Sequence, residues 1–309
     1  MSEGRWAFMF AGQGSQSSGM GKDLYDTYES AYQTFKQADR TLSYKLSEIC
    51  FEGDAETLKQ STYCQPAIFT TSLACLGAMQ EETSVKPVVC GGLSLGEFAA
   101  LTAAGAITFS DALQLVSIRG QLMDEACRNT EGGMAAVLNA DPELVESVCE
   151  EHDVDAANYN CPGQIVISGE REKLDQAIAA LKENGVKRLV PLEVDGAFHS
   201  RLMASAAEGF EPYLQNTAIN RPSVPVVQNV VGEQVHDPEQ IRRNLKSQIH
   251  NSVRWHACVE TMRTTFGADC FMEIGPGKTL KGFMKKTDKS LPTYLMGCND
   301  DIEELKANI

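Results

Sequence analysis

In the stretch Val88–Leu101, VVCGGLSLGEFAAL, a single hydroxyl, that of Ser94, stands between Gly92 and Gly96 at the end of an apolar run. Gly-x-Ser-x-Gly is the spacing of a nucleophile elbow. A strand meets a helix there at a sharp turn, small residues are needed two positions to either side, and the serine Oγ projects free. The N–H of the next residue then points at the oxyanion that forms when Oγ attacks a carbonyl. The chemistry on offer is acyl transfer through a seryl ester. Glycine and serine also build plain glycine-rich turns, but the valine-rich run before Ser94 and the helix-compatible LGEFAALTAAGA after it favour the elbow.

A serine nucleophile needs a base, and five histidines are available: His152, His199, His236, His250 and His256. His152 and His236 lie in polar, turn-like segments where a solvated imidazole is expected. His250 and His256 flank NSVRW and could pack or cap. His199, in EVDGAFHSRLM, falls where a strand gives way to a helix, a loop position suited to catalysis. Asp195 is close in sequence and need not be its orienting partner. Arg119 lies in the otherwise apolar helical stretch LQLVSIRGQLM, where a buried guanidinium must be paired. Its planar fork of donors suits bidentate capture of a carboxylate. A structural ion pair with an acid at a helix end would satisfy it too.

The glycine-rich GQGSQSSGMGK does not hold a phosphate loop. Gly21-Lys22 would need glycine at position 16, which is Gln16, and Ser or Thr at position 23, which is Asp23. Gly12-Gln13-Gly14 has Ser17 where a dinucleotide fingerprint needs its third glycine. A tight turn whose N–H groups face Ser94 fits better.

These residues need elements to hold them. Trp6–Phe10 reads as a short buried strand, and helical pattern follows through DLYDTYESAYQTFKQADRTL and QPAIFTTSLACLGAMQEE. PVVCGG is the strand before Ser94, with a helix from about Leu95. A further helix, SDALQLVSIRGQLMDEACR, opens with the cap pair Ser110 and Asp111. Strand, loop and helix in succession imply parallel strands in an α/β layer. The middle of the chain differs. MAAVLN, DPELVESVCEEH, DAANYN, QIVISG, EREKLDQAIAALKENGV and RLVPLEV read in the order β-α-β-β-α-β, the split βαβ arrangement of ferredoxin-like domains. Residues 131–196 are therefore expected as a small subdomain inserted into a catalytic one made of 1–130 and 197–309, because α/β signals resume in SVPVVQNVVG and CFMEIGPGKTL.

The chain of 309 residues is 43% hydrophobic and 22% charged, an ordinary globular composition able to bury a sizeable core. No apolar run is long enough for a transmembrane helix, and the N-terminal sequence lacks the pattern of a secretory signal, so a cytoplasmic protein is expected. The ten cysteines form no Cys-x-x-Cys pair and no Cys/His cluster at zinc spacing, which favours buried thiols in a reducing compartment. Net charge is −15, from 27 basic and 42 acidic residues, which argues against nonspecific nucleic-acid binding. An anionic ligand would need a local basic patch, for which KGFMKK and IRRNLK are the candidates.

Taken together, the sequence resembles the malonyl-CoA:acyl carrier protein transacylase family, the acyltransferases of fatty-acid and polyketide synthesis. Seven segments carry the likeness in order: FAGQGSQ (from Phe10), GLSLGEF (from Gly92), IRGQLM (from Ile118), NCPGQIVISG (from Asn160), GAFHS (from Gly196), NSVRW (from Asn251) and EIGPGKTL (from Glu273). The resemblance implies an α/β-hydrolase-like large subdomain interrupted by a ferredoxin-like small one. It implies Ser94 as nucleophile and His199 as base, the N–H groups of Gln13 and Leu95 as oxyanion hole, and Arg119 as the holder of the malonyl carboxylate. By the same resemblance the backbone carbonyl of Gln248 orients the histidine, Asn160 lines the site, and Phe198 belongs to a malonyl-type signature whose bulk crowds a branched acyl group. No metal or redox cofactor is implied; the partners are malonyl-CoA and an acidic acyl carrier protein, with neither nucleic acid nor membrane.

Two positions depart from the family pattern. Leu93 stands where the family commonly has histidine before the nucleophile, and Ala11 where proline is frequent. The first removes an imidazole from the pocket without removing the base. An acidic carrier sits awkwardly with an acidic enzyme, so a cationic rim from Arg242, Arg243, Lys281, Lys285 or Lys286 is expected. Two rival functions share the motif set: a serine acyl hydrolase that gives the acyl group to water, and a noncatalytic carrier-binding subunit.

Overall fold

Residues 4–194 and 196–308 are described by the computed structural model of the chain. Four strands form a wholly parallel sheet in the order Thr293–Met296, Cys270–Ile274, Trp6–Phe10, Pro87–Gly92. Trp6–Phe10 lies inside it and is buried at all five positions. Its alternate residues serve two cores, as the period of a strand requires. Phe8 and Phe10 pack with Phe69, Phe98 and Leu113 from one layer of helices, while Ala7 and Met9 pack with Trp255, Val259 and Leu280 from the other. A parallel sheet covered on both faces is why these strands read as continuous apolar runs.

The helix Ser61–Glu82 is buried over most of its circumference, including Thr70, Thr71 and Ser72. It packs along Phe109–Arg128, which carries Arg119 inward beside Leu115, Val116 and Met123. That helix begins at Phe109, and its cap is Thr108, whose hydroxyl accepts the N–H of Asp111, rather than the expected Ser110. The pattern expected to be one helix over 23–42 is broken at Tyr28, which is extended between Lys22–Thr27 and Glu29–Thr41.

A second sheet is antiparallel, in the order Asp155–Cys161, Gln164–Glu170, Gly132–Leu138, Arg188–Pro191. With helices Pro142–Glu151 and Arg171–Glu183 it has the ferredoxin-like connectivity. Both helices cover one face, through Val145, Val148, Leu174 and Leu181. The opposite face presents Met134, Ala136 and Val166 toward Phe198. The last strand ends at Pro191, short of the expected Val194; Leu192 keeps one backbone bond to the Met134 carbonyl, and Leu192 and Val194 line a cavity. SVPVVQNVVG contributes only the two-residue strand Val227–Gln228, with a single bridge from Val226 to Cys90 of the large sheet. Among the described residues no helix is long and apolar enough to cross a membrane. Cys50, Cys64, Cys75, Cys90 and Cys258 are buried free thiols in the apolar layers.

Candidate active site

Strand Pro87–Gly92 ends where helix Gly96–Ala103 begins, and Ser94 sits in the turn with φ 52°, in the left-handed region. Close approach fixes both flanking glycines. A Cβ at Gly92 would stand 2.0 Å from the Gly96 carbonyl, and one at Gly96 would stand 2.3 Å from the carbonyl oxygen of Phe10. Neither neighbour is a flexible side chain, so no larger residue fits. His199 also has a left-handed backbone, φ 57°, in the loop before the 3₁₀ turn Arg201–Met203. Ser200 shapes that loop: its hydroxyl donates to the Ala197 carbonyl at 2.6 Å and accepts the N–H of Leu202.

Ser94 and His199 meet across 105 residues of sequence, Oγ to Nε2 at 2.8 Å. The other ring nitrogen, Nδ1, is 2.7 Å from the carbonyl oxygen of Gln248. A carbonyl only accepts, so Nδ1 carries the proton and Nε2 of the neutral ring accepts from Ser94 Oγ–H. Burial, and secondarily the positive charge of Arg119, push the His199 pKa down to about 3, against a smaller opposing pull from the Gln248 carbonyl. The free imidazole is therefore an unprotonated base at neutral pH. Asp195, considered from the sequence as a neighbour of the histidine, lies outside the described residues.

Arg119 is buried, with its guanidinium against the Ser94 hydroxyl. Nη2 donates to Ser94 Oγ at 2.9 Å and to Gln248 Oε1 at 2.9 Å, Nη1 donates to Gln65 Oε1 at 2.6 Å, and the fork lies over the ring of Phe98. Nε has no partner. No carboxylate of the described residues is within ion-pair distance; Glu97 acts on it only from farther away. The structural ion pair that the sequence left open is thus absent, and neutral oxygens hold the cation. Burial pulls its pKa down to about 10, which leaves it charged at neutral pH.

The site opens into a cavity of about 760 Å³ between the two sheets, lined by Gln13, Leu93, Ser94, Asn160, Phe198 and His199 among others. Among the described residues no acceptor takes the backbone N–H of Gln13 or of Leu95. Asn160 donates weakly to Gln164 Oε1, and its own Oδ1 is buried without a partner. None of the other four histidines lines the cavity. Of the basic residues expected on a rim, Arg242 is buried and donates to the Thr217 carbonyl and to Glu239. It does not belong there. Arg243 is exposed on the same helix, Pro238–Gln248, which gives the cavity no lining residue. Lys281, Lys285 and Lys286 ride on Thr279–Thr287, whose Thr279 and Phe283 do line the cavity.

Several buried polar groups at the site escaped sequence reasoning: Gln65, Glu97, Gln228, Asn229 and the side chain of Gln248. Two left a trace. Glu97 is an acid inside an apolar helical run, and Asn229 belongs with Gln228 to a carboxamide pair between valines. Burial pushes the Glu97 carboxyl up to about 7, while donors from Asn229, Gln228 and Gln248 pull it down.

A parallel sheet with a strand–serine–helix elbow, interrupted by a ferredoxin-like sheet that closes over it, is the two-subdomain architecture of an α/β-hydrolase-like acyl-transfer fold. The chain belongs to the acyl transferase domain family, whose model matches residues 7–306. It is 44% identical over 302 residues to the malonyl CoA-acyl carrier protein transacylase of Bacillus subtilis, covering 96% of this chain and 95% of that one. The malonyl CoA-acyl carrier protein transacylase structure from Clostridium perfringens superposes with a TM-score of 0.94 at 39% identity, covering 98% and 96% of the two chains. A malonyl-transacylase solved in complex with a type II polyketide-synthase acyl-carrier protein superposes with a TM-score of 0.94 at 36% identity, covering 99% and 100%.

Proposed function

We propose that the protein is a malonyl-CoA:acyl carrier protein S-malonyltransferase that works through a malonyl-Ser94 ester in two successive half-reactions. One observation carries the malonyl assignment: a buried guanidinium, lacking any carboxylate partner among the described residues, faces the reacting oxygen. A buried cation held only by neutral oxygens is incompletely compensated. An acyl donor with a free carboxylate supplies the missing charge at the place where its thioester must lie.

In the first half-reaction the malonyl carboxylate takes the donors of Arg119. His199 Nε2 removes the Oγ proton as Oγ attacks the thioester carbonyl. The oxyanion rests on the N–H groups of Gln13 and Leu95, each such donor contributing roughly 3 kcal/mol in the transition state. The C–S bond breaks, the histidine proton goes to the sulfur, and CoA leaves as the thiol. In the second half-reaction the phosphopantetheine thiol of the carrier gives its proton to the same imidazole and attacks the ester carbonyl; the C–Oγ bond breaks and the imidazole returns the proton to Oγ, restoring Ser94. The carbonyl of Gln248 does the work of an orienting carboxylate by fixing the tautomer. It adds no negative charge, which suits a base that must not hold a proton between turnovers. Phe198 and Leu93 make the wall apolar, and Phe198 crowds a methyl branch on the acyl group.

A panel of malonyl-, methylmalonyl- and acetyl-CoA with a holo carrier protein tests the assignment. Malonyl-carrier should be the dominant product, with methylmalonyl-CoA the poorer of the two dicarboxylate donors. Release of free malonate in preference to malonyl-carrier would instead make the protein a hydrolase.

A further inference from the structure

The left-handed backbone of Ser94 is uncommon for a residue with a side chain, and such conformations persist where the surroundings over-determine them. Here the determinant is a carboxamide from a distant segment. Asn229 Oδ1 accepts the N–H of Ser94 at 2.7 Å, while its Nδ2 donates to the Gly92 carbonyl at 2.8 Å. One side chain thus bridges the last residue of the strand and the nucleophile. Gln248 Nε2 adds a donor to the Ser94 carbonyl at 3.1 Å. Asn229 is itself fixed from behind, since its backbone N–H donates to Glu97 Oε2 at 2.7 Å, and the neighbouring Gln228 Nε2 donates to Glu97 Oε1 at 2.8 Å. All four side chains are fully buried, so water cannot replace any of them.

We propose that Asn229, seated on the Glu97 carboxylate, is a positioning residue for acyl transfer: its carboxamide sets the Gly92–Ser94 turn so that Oγ meets His199 Nε2 and Arg119 Nη2 together. The proposal rests on the seryl acyl-transfer reading above. A buried acceptor for the Ser94 N–H would satisfy the fold alone. The geometry goes further, because donor and acceptor of one rigid group are both spent on the two ends of the turn. Rotation of that turn would move Oγ away from two partners that it now holds at 2.8 and 2.9 Å.

The discriminating variant is Asn229→Asp, which keeps shape and the acceptor for Ser94 N–H but sets an ionised oxygen against the Gly92 carbonyl. Charged and titratable groups around the position are the Glu97 carboxyl, the Cys258 thiol and, through Gln248, Arg119 and His199. Burial and Glu97 favour the protonated form of the introduced carboxyl, and Arg119 opposes them. Once protonated, its O–H donates to Gly92 as the amide did. Single-turnover malonylation of Ser94 should therefore be about 10²-fold slower than wild type at roughly pH 8, with KM for malonyl-CoA nearly unchanged. The deficit should shrink at least tenfold at roughly pH 5.5, where the carboxyl regains its proton. Asn229→Ala, lacking both groups, should be slow at both pH values. A folded N229D or N229A protein that malonylates at the wild-type rate overturns the proposal, as does a deficit in N229D that is the same at both pH values. Wild-type protein that takes no malonyl group would instead count against the function itself.

Discussion

His199→Ala is expected to slow malonylation of Ser94 by roughly 10³-fold, within the range that a positioned general base contributes, while malonyl-CoA binding is largely kept. On the proposed reading binding survives, because the carboxylate would be held by Arg119, whose three hydrogen bonds go to Gln65, Ser94 and Gln248 and not to the imidazole. As the proposed base, the same residue should set the pH profile of the wild-type enzyme. A base works unprotonated, so kcat/KM falls as pH drops through the pKa of the free imidazole. With that pKa pushed down to about 3 by burial and by Arg119, the imidazole should contribute no acid limb to kcat/KM between roughly pH 8 and pH 5, where an ordinary histidine would give one near about 6.5. A malonyl carboxylate bound at Arg119, as proposed, would neutralise part of its field, so the acid limb of kcat should lie above that of kcat/KM. Stopped-flow acylation across pH measures both. An acid limb of kcat/KM near the ordinary value that persists in Glu97→Gln, which removes the carboxyl that burial pushes up to about 7, would mean that the imidazole is solvated or paired with a carboxylate.

Arg119→Ala is expected to lower malonyl transfer by about two to three orders of magnitude, the scale of losing charge-assisted hydrogen bonds to a buried carboxylate. Acetyl transfer, which never used the guanidinium for its acyl group, should fall much less, so the malonyl-to-acetyl ratio collapses. An apolar pocket discriminates poorly between acyl groups of similar size, whereas a polar site left unpaired rejects strongly. In the wild type, acetyl leaves Arg119 facing no anion, and that penalty disappears with the guanidinium. Arg119→Lys should fall between, since a point charge replaces a fork. Equal proportional losses with both donors would contradict the carboxylate role.

How far these groups could be read from the sequence depended on how local their constraints were. The elbow was legible because its requirements lie within five residues: Gly92 and Gly96 are forced by backbone atoms of the turn itself and of the neighbouring strand. The ferredoxin-like order was legible because each of its elements carries its own periodicity and turn. Arg119 announced itself as a charge in an apolar helix. Its partners did not, because Gln65 and Gln248 are 54 and 129 residues away and glutamine is common on surfaces. Asn229 bonds to Ser94 across 135 residues, so nothing near either residue signals the contact. Element ends failed where tertiary demands overrode pattern. Leu192 and Val194 look like strand residues and instead serve the cavity wall. Tyr28 interrupts a helical pattern where the chain starts a new helix against the buried Ser61–Glu82. Charge pattern misled at Arg242, whose guanidinium serves a carbonyl within the protein.

The most direct test is the intact mass of the protein after brief mixing with malonyl-CoA, followed by peptide mapping. One malonyl group should appear on Ser94, be absent from Ser94→Ala, and disappear when holo carrier protein is added, with an equal amount of malonyl-carrier formed. Transfer to the carrier at an undiminished rate in Ser94→Ala, or a malonyl group found on any other residue, would contradict the seryl-ester route.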